Sequence, residues 1–233
     1  MIWITGDKHG DFGEVETFCR VWRPHRKDVL IVLGDAGINY FSDARATALR
    51  QHLAQLPLTL FCIHGNHEAR PETVPGMQLQ EGFGGQVYVN PRFPNQFFPV
   101  DGAIYTLGSR RTLVVGGAYS VDKFYRLRNH WAWFEDEQPS AQIKTRAELA
   151  LDAEGWRVDA VLSHTCPRSR IPFDRLPPLG CGDASSVDYS TENWLETVRQ
   201  RLQFEQWYAG HFHIDWEDAP FTFLFHEFQI FDI

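Results

Sequence analysis

The sequence predicts an α/β protein: a four-layer α/β/β/α sandwich of two mixed sheets flanked by helices. Three observations predict it. Apolar runs of strand length recur along the chain, stretches with helical apolar spacing lie between several of them, and strand-helix alternation at both ends encloses a strand-strand succession in the middle.

The elements follow in order. Strands are expected at Ile2 to Thr5, Val29 to Leu33, Leu58 to Ile63, Ala103 to Leu107, Thr112 to Val115, Ala160 to Leu162 and Glu205 to Ala209, several of them ending in glycine or a polar cluster. Phe221 to Ile233 alternates large apolar residues and is expected to form a terminal hairpin or two edge strands. Helices are expected at Phe12 to Trp22, Ser42 to Leu56, Ser140 to Glu154 and Ser190 to Leu202, with Ser42, Ser140 and Ser190 where an N-cap would sit. Two Gly- and Pro-rich stretches, Glu68 to Phe98 and Pro167 to Asp188, read as loops and as walls of a substrate pocket.

Composition narrows the class of function. The 233 residues are 43% hydrophobic and 22% charged, enough apolar surface for one core without disulfides. Lys and Arg number 22 against 30 Asp and Glu, a net charge of −8, which argues against binding long nucleic acid, since counterion release needs clustered cations. The four cysteines show no C-x-x-C spacing, no apolar stretch is long enough to span a membrane, and no basic leader precedes Ile2. A reducing cytoplasm is the expected location.

Function is written where the strands stop. Ile2 to Thr5 runs into Gly6-Asp7-Lys8-His9-Gly10, Val29 to Leu33 into Gly34-Asp35, and Leu58 to Ile63 into His64-Gly65-Asn66-His67-Glu68. Later, Ala160 to Leu162 runs into Ser163-His164, and Glu205 to Ala209 into Gly210-His211-Phe212-His213. The carboxyl ends of parallel strands share a rim, so five apolar runs ending in carboxylate, amide and imidazole point to a gathered site. That oxygen and nitrogen set suits Mn, Fe, Zn or similar divalent ions rather than a thiolate cage. Each group also has a plain reading: Asp7 and His9 as turn residues with Asp11 as a helix cap, Gly65-Asn66 as a turn, His164 as a core histidine. If the strand continued past Gly210, His211 and His213 would point to opposite faces.

Taken together, D-x-H, G-D, G-N-H-[ED], a later His and G-H-x-H in this order resemble the calcineurin-like metallophosphoesterase superfamily. The resemblance implies one metallophosphoesterase domain over residues 1–233 holding two divalent metal ions, Mn foremost and Fe, Zn, Ni, Co or Mg as alternatives. It implies that Asp7, His9 and His213 bind the first ion, that Asn66, His164 and His211 bind the second, and that Asp35 bridges. His67 would act near the leaving group, as proton donor or electrostatic stabiliser, and the ions would activate a water for in-line attack on phosphorus. Asp11 or Glu68 would fix the second nitrogen of a ligand histidine.

The sequence also departs from its relatives. Phosphoprotein phosphatases of the superfamily hold substrate phosphate with two arginines, and here Asn39 and His64 stand at those positions, with Arg70, Arg168 or Arg170 left to compensate. Arg70, Asn39 and His64 are therefore the candidate substrate-binding residues. The expected partner is a small phosphorylated molecule or a phosphopeptide, with no membrane. A phosphodiesterase acting on nucleotides or small diesters is the alternative, and a catalytically inert protein-interaction scaffold the second. Outside the motifs, the Gly116 to Lys123 segment is a candidate to reach the rim, Trp131, Trp133 and Phe134 read as packing, and Cys181 reads as a small loop residue.

Overall fold

A computed structural model describes residues 1–176 and 186–232, and Cys181, Ile233 and part of the second expected loop lie outside them. Among the described residues the chain runs β1 (Ile2–Thr5), α1 (Gly13–Trp22), β2 (Val29–Val32), α2 (Ala44–Leu53), β3 (Thr59–Cys62), then β4 (Gln78–Gly82), β5 (Gly85–Val89) and β6 (Gln96–Pro99). It continues through β7 (Ile104–Leu107), β8 (Arg110–Val115), α3 (Lys123–Arg128), α4 (Ala141–Ala153), β9 (Ala160–Ser163) and α5 (Ser190–Arg201). It closes with β10 (Gln206–Ala209), β11 (Trp216–Asp218), β12 (Phe221–Phe223) and β13 (Gln229–Asp232).

These strands make two mixed sheets, ordered β13-β1-β2-β3-β6-β5-β4 and β11-β12-β10-β9-β8-β7. In each, a parallel centre is edged by antiparallel strands: β1, β2, β3 and β6 are parallel in the first sheet, and β8, β9, β10 and β12 in the second.

Strand alternation explains the layers. Ile2, Ile4, Val29 and Ile31 pack between the sheets against Val114, Ala160 and Leu162 of the second sheet. The intervening Trp3, Leu30 and Val32 face Val15, Phe18 and Leu53 of α1 and α2. On the far side Leu113, Val115 and Val161 face Ala147 and Leu151 of α4 and Leu195 and Val198 of α5. Helices thus cover both outer faces, and the α/β/β/α sandwich read from the sequence is the fold. No helix of the described residues is long and apolar enough to cross a membrane.

The differences from expectation have local causes. Ser140 caps α4 as expected, accepting from the Ile143 N–H at 3.3 Å. Asp43 rather than Ser42 caps α2, taking the Arg45 N–H at 2.9 Å. Ser190 lies inside α5, and its own N–H goes to Asp188. The first expected loop is mostly structured: β4 and β5 form a hairpin whose turn holds Phe83 and Gly84 at positive φ. Of the terminal hairpin or two edge strands expected, one edge strand is formed: β13 lies at the edge of the first sheet beside β1, while β12 sits inside the second between β11 and β10.

Candidate metal centre

The carboxyl ends of both parallel centres meet on one rim. Asp7 follows β1, Asp35 follows β2, and Asn66 and His67 follow β3, while His164 follows β9, and His211 and His213 follow β10. The two sheets touch there directly: the His211 N–H donates to Asp7 Oδ1 at 3.0 Å, and the His164 ring reaches the Leu33 carbonyl at 2.7 Å.

Backbone conformation decides which way these side chains point. His9, Asp35, His211 and His213 all adopt left-handed φ, between 45° and 67°. Such strain in residues bearing a Cβ concentrates at functional sites. The strand therefore does not continue past Gly210, and His211 and His213 come to the same rim. Close approach on the rim requires glycine. A Cβ on Gly34, whose φ is +91°, would lie 2.2 Å from His164 Nδ1, and one on Gly210 would lie 2.4 Å from Asp7 Oδ1.

The donor atoms converge in two overlapping groups, Asp7 with His9 and His213, and Asp7 with Asp35 and His164, each within 4.8 Å. Asp7 Oδ2 stands 3.3 Å from His213 Nε2 and 3.8 Å from His9 Nε2. Asp35 Oδ2 stands 3.6 Å from His164 Nε2 and 3.9 Å from His9 Nδ1. Asn66 Oδ1 faces His164 Nε2 at 2.8 Å, and the His211 ring lies 5.0 Å from that of His164.

Does this set fit a cation? Three features say that it does. Asp7 Oδ2 is buried without a sound hydrogen bond among the described residues. His9 Nε2 and His213 Nε2 approach to 2.9 Å beside Asp7 Oδ2, so two imidazole nitrogens and a carboxylate oxygen crowd one point. Neither of the two buried carboxylates on the rim is ion-paired with a Lys or Arg among the described residues, for the adjacent Lys8 turns away to Glu14 and the Phe225 carbonyl.

The titration shifts express the same field. Burial raises the Asp7 carboxyl, but the facing His164 and then His213 overcome it and hold it below the ordinary range. Asp35 is lowered in the same way, burial again being outweighed by His164. Burial lowers His164, yet the Asp35 and Asp7 carboxylates push it up to about 9, so a positive charge is favoured at this point. His211, buried beside that charge, is pushed down to about 3 and stays a neutral donor.

Supporting contacts fix the donors. The His164 Nδ1–H donates to Leu33 O, so the neutral ring, the form that a bound cation in place of the proton would favour, presents its Nε2 lone pair toward Asn66 and Asp35. Asn66 Nδ2 donates to Ser120 Oγ at 2.9 Å, and Ser120 donates to Glu137, itself held by the Trp133 indole. The expected acceptors do not serve: Asp11 takes the Gly13 N–H at the start of α1, and Glu68 takes the Gly65 N–H. Glu68 is buried, and that burial with the nearby Asp35 charge pushes it up to about 8.

His67 lies at the edge of this cluster. Its backbone N–H donates to Asp35 Oδ1 at 2.8 Å, and its ring Nε2 meets Asn66 Nδ2 at 3.2 Å and an Arg126 guanidinium nitrogen at 3.3 Å. The Gly116 to Lys123 segment does reach the rim, through Ser120 and through Asp122, 3.9 Å from His67 Nε2. Lys123 instead lies over the Trp133 ring.

The three substrate-binding candidates do not face the rim. Arg70 is buried, with its nitrogens on Asp101 at 2.6 Å and on the carbonyls of Asp136 and Gln138. Asn39 is buried and accepts from Arg50 at 2.7 Å. His64 is buried under Gly116, and burial and then Arg70 hold it well below the usual histidine range. Arg168 lies over Tyr189 and Arg170 pairs with Asp218, so neither compensates. Arg126 is the guanidinium against His67, and sequence reading missed it because α3 buries none of its residues and so lacks an amphipathic pattern.

Two cavities open on the rim. One of 560 Å³ borders Asp35, Asn66 and His211 and has an apolar wall of Ile171, Phe173 and Phe212, so the described part of the second expected loop does line a pocket. The other, of 390 Å³, borders His9 and His67 and lies between α2 and α3. No residue of the first expected loop outside the G-N-H-E motif and its neighbours lines either.

A sandwich of this topology with carboxylate, amide and imidazole donors gathered on its shared rim defines a metallophosphoesterase-type protein. The chain belongs to the calcineurin-like phosphoesterase family, whose model matches residues 1–215. Among solved structures it is similar to TT1561 of Thermus thermophilus, at 13% identity and a TM-score of 0.48, with 96% of this chain and 87% of that chain covered. No curated protein matches the sequence at a significant level. Family membership makes metal-dependent phosphoester hydrolysis the activity class.

Proposed function

We propose that the protein hydrolyses phosphate esters of small molecules or phosphopeptides at a dinuclear metal centre, in the cytoplasm and as one domain. The observation that carries this reading is the meeting of the Asp7 and Asp35 carboxylates with His9, His164 and His213 on one rim, where neither carboxylate is ion-paired with a Lys or Arg among the described residues. Asp7, His9 and His213 would hold one ion and Asn66, His164 and His211 the other, with Asp35 between. Two divalent cations, Mn foremost, supply water activation and charge neutralisation at phosphorus when bound.

The chain's own residues do the rest. Leu33 O keeps His164 in the tautomer whose Nε2 is free, and Ser120 with Glu137 orients the Asn66 amide. His67 stands outside the donor groups, placed to give a proton to the leaving group or to stabilise its charge. The second reading, diester hydrolysis, is favoured by the burial of Asn39 and His64 away from the rim and by the presence of a single guanidinium, Arg126, at His67. One available guanidinium nitrogen suits a monoanionic phosphoryl group better than a dianion.

The experiment is metal removal followed by reloading with Mn, Mg, Zn, Co, Ni or Fe(II), assayed on a panel of mono- and diesters. Two equivalents of bound ion and loss of turnover in chelator are expected. Full activity in excess chelator after metal removal would sink the mechanism, and an inert scaffold would bind neither ion stoichiometrically.

A further inference from the structure

The 390 Å³ cleft between α2 and α3 opens onto the rim at His9 and His67, and the metal centre itself makes no use of it. Its volume lies within the usual range of small-ligand pockets, about 300 to 1,000 Å³. Gly10 and Gly37 form part of its lining, and the glycine there is steric, since a Cβ on Gly37 would fall 2.3 Å from the Gly10 nitrogen.

Its walls are flat rings. Tyr40 and Phe41 meet edge to face, 4.7 Å apart at 85°, and Trp131 closes the α3 side while 53% exposed. The indole meets the Tyr125 ring edge to face at 5.5 Å and is otherwise half in water, which leaves ring surface available for stacking.

Charge in the cleft is nearly balanced. Arg45 at the lip is paired with Asp43 and lies over Phe41. Arg126, only 12% exposed, spends its Nε on Asp122 at 2.8 Å and directs one terminal nitrogen toward the Tyr40 hydroxyl and the Ala132 carbonyl. Its other terminal nitrogen points at His67, where it meets no carboxylate. The cleft therefore offers ring faces to an uncharged group and one fixed cationic N–H to an anion at its inner end.

We propose that this cleft binds an uncharged planar ring, aromatic or heteroaromatic, carried by the phosphoester substrate, and that Arg126 binds an oxygen of the phosphoryl group to which the ring is joined. The inference rests on the phosphoesterase reading above and adds the class of substrate. Ring stacking favours a ligand that a plain alkyl ester cannot match, and the arginine couples the ring's position to the reacting group.

The test is calorimetric binding of phenylphosphonate and methylphosphonate, which share one anionic head and differ in the ring, to metal-free and Mn-loaded protein. Phenylphosphonate should bind roughly tenfold or more tightly. Trp131→Ala should move the affinity ratio toward one. Arg126→Gln should weaken both ligands by about tenfold or more, with partial rescue by Arg126→Lys, as expected for a charge-assisted contact. Thermal melts of each variant establish that it is folded, so a loss of binding is read at the site.

Equal binding of the two phosphonates overturns the ring subsite, and unchanged binding by Arg126→Gln overturns the phosphoryl contact, in each case while metal-dependent ester turnover persists. Failure of the phosphoesterase reading is a different result: no ester is turned over with any metal and neither phosphonate binds the Mn-loaded protein.

Discussion

Replacing Gly34 by alanine should separate the cost of a strained backbone from the cost of displacing a site histidine. The new methyl carries two penalties. At φ +91° an L-residue costs about 1 to 2 kcal/mol in backbone strain. The Cβ also falls 2.2 Å from His164 Nδ1, so the ring must leave its 2.7 Å hydrogen bond to Leu33 O, and orphaning those buried groups costs a further ~1 to 3 kcal/mol. Gly155→Ala is the control: its φ is +63° and a Cβ there meets nothing within 4 Å, so it bears the strain alone. Urea unfolding of the metal-free proteins should show losses of about 2 to 5 kcal/mol for Gly34→Ala against ~1 to 2 for Gly155→Ala. Metal content after reloading should fall in the first variant and stay full in the second. Equal destabilisation, or full metal content in Gly34→Ala, would refute the view that this glycine exists to seat His164.

Asp35→Asn should reduce metal content and turnover more than Asp7→Asn, because a carboxylate between two cations offsets charge on both; equal losses measured by metal analysis and rate count against the bridge. His67→Ala should keep both ions, and its turnover should drop by about 100- to 10,000-fold with an alkoxide leaving group and less with nitrophenolate. An equal drop on both esters favours charge stabilisation over proton donation, and lost metal shows the role to be wrong. Glu196 is held at about 2, burial being outweighed by Arg199 and by Ser169, which its carboxylate ties to α5. A carboxyl depressed below its ordinary 4.5 adds stability that is complete above 4.5 and lost as pH falls toward 2. Glu196→Gln should thus be less stable near neutrality, and chemical denaturation should show the gap closing below pH 4.5.

The parts of this architecture legible in the sequence were those that bury both faces or repeat with helical spacing. β1, β2, β3, β9 and β10 read clearly because parallel central strands are near-continuous apolar runs, and the Asp, Asn and His residues read at their ends do lie together on one rim. β4 was illegible because it lies exposed at a sheet edge with the sequence Gln-Leu-Gln-Glu-Gly, and polar edge strands carry no alternation. Val87 and Val89 do alternate in β5, so a signal existed there and was hidden by the flanking glycines. Which arginine reaches the rim was illegible for a different reason. Arg70 and Arg126 are both near the motifs in space, and only burial and partner tell them apart, since Asp101 neutralises the first while the second keeps one nitrogen for His67. Proximity in sequence to G-N-H-E carried no such information.

The pairing of His9 with His213 joins residues 204 positions apart, one after β1 and the other after β10. A ribosome adding about 5 to 20 residues per second separates the appearance of these two rings by roughly 10 to 40 s. Through much of that interval Asp7 and Asp35 have emerged without His164, His211 or His213, a set of donors open to whatever cation is abundant around the nascent chain. If the rim holds ions as proposed, choice among metals would fall to the completed donor set, which the late-arriving imidazoles finish.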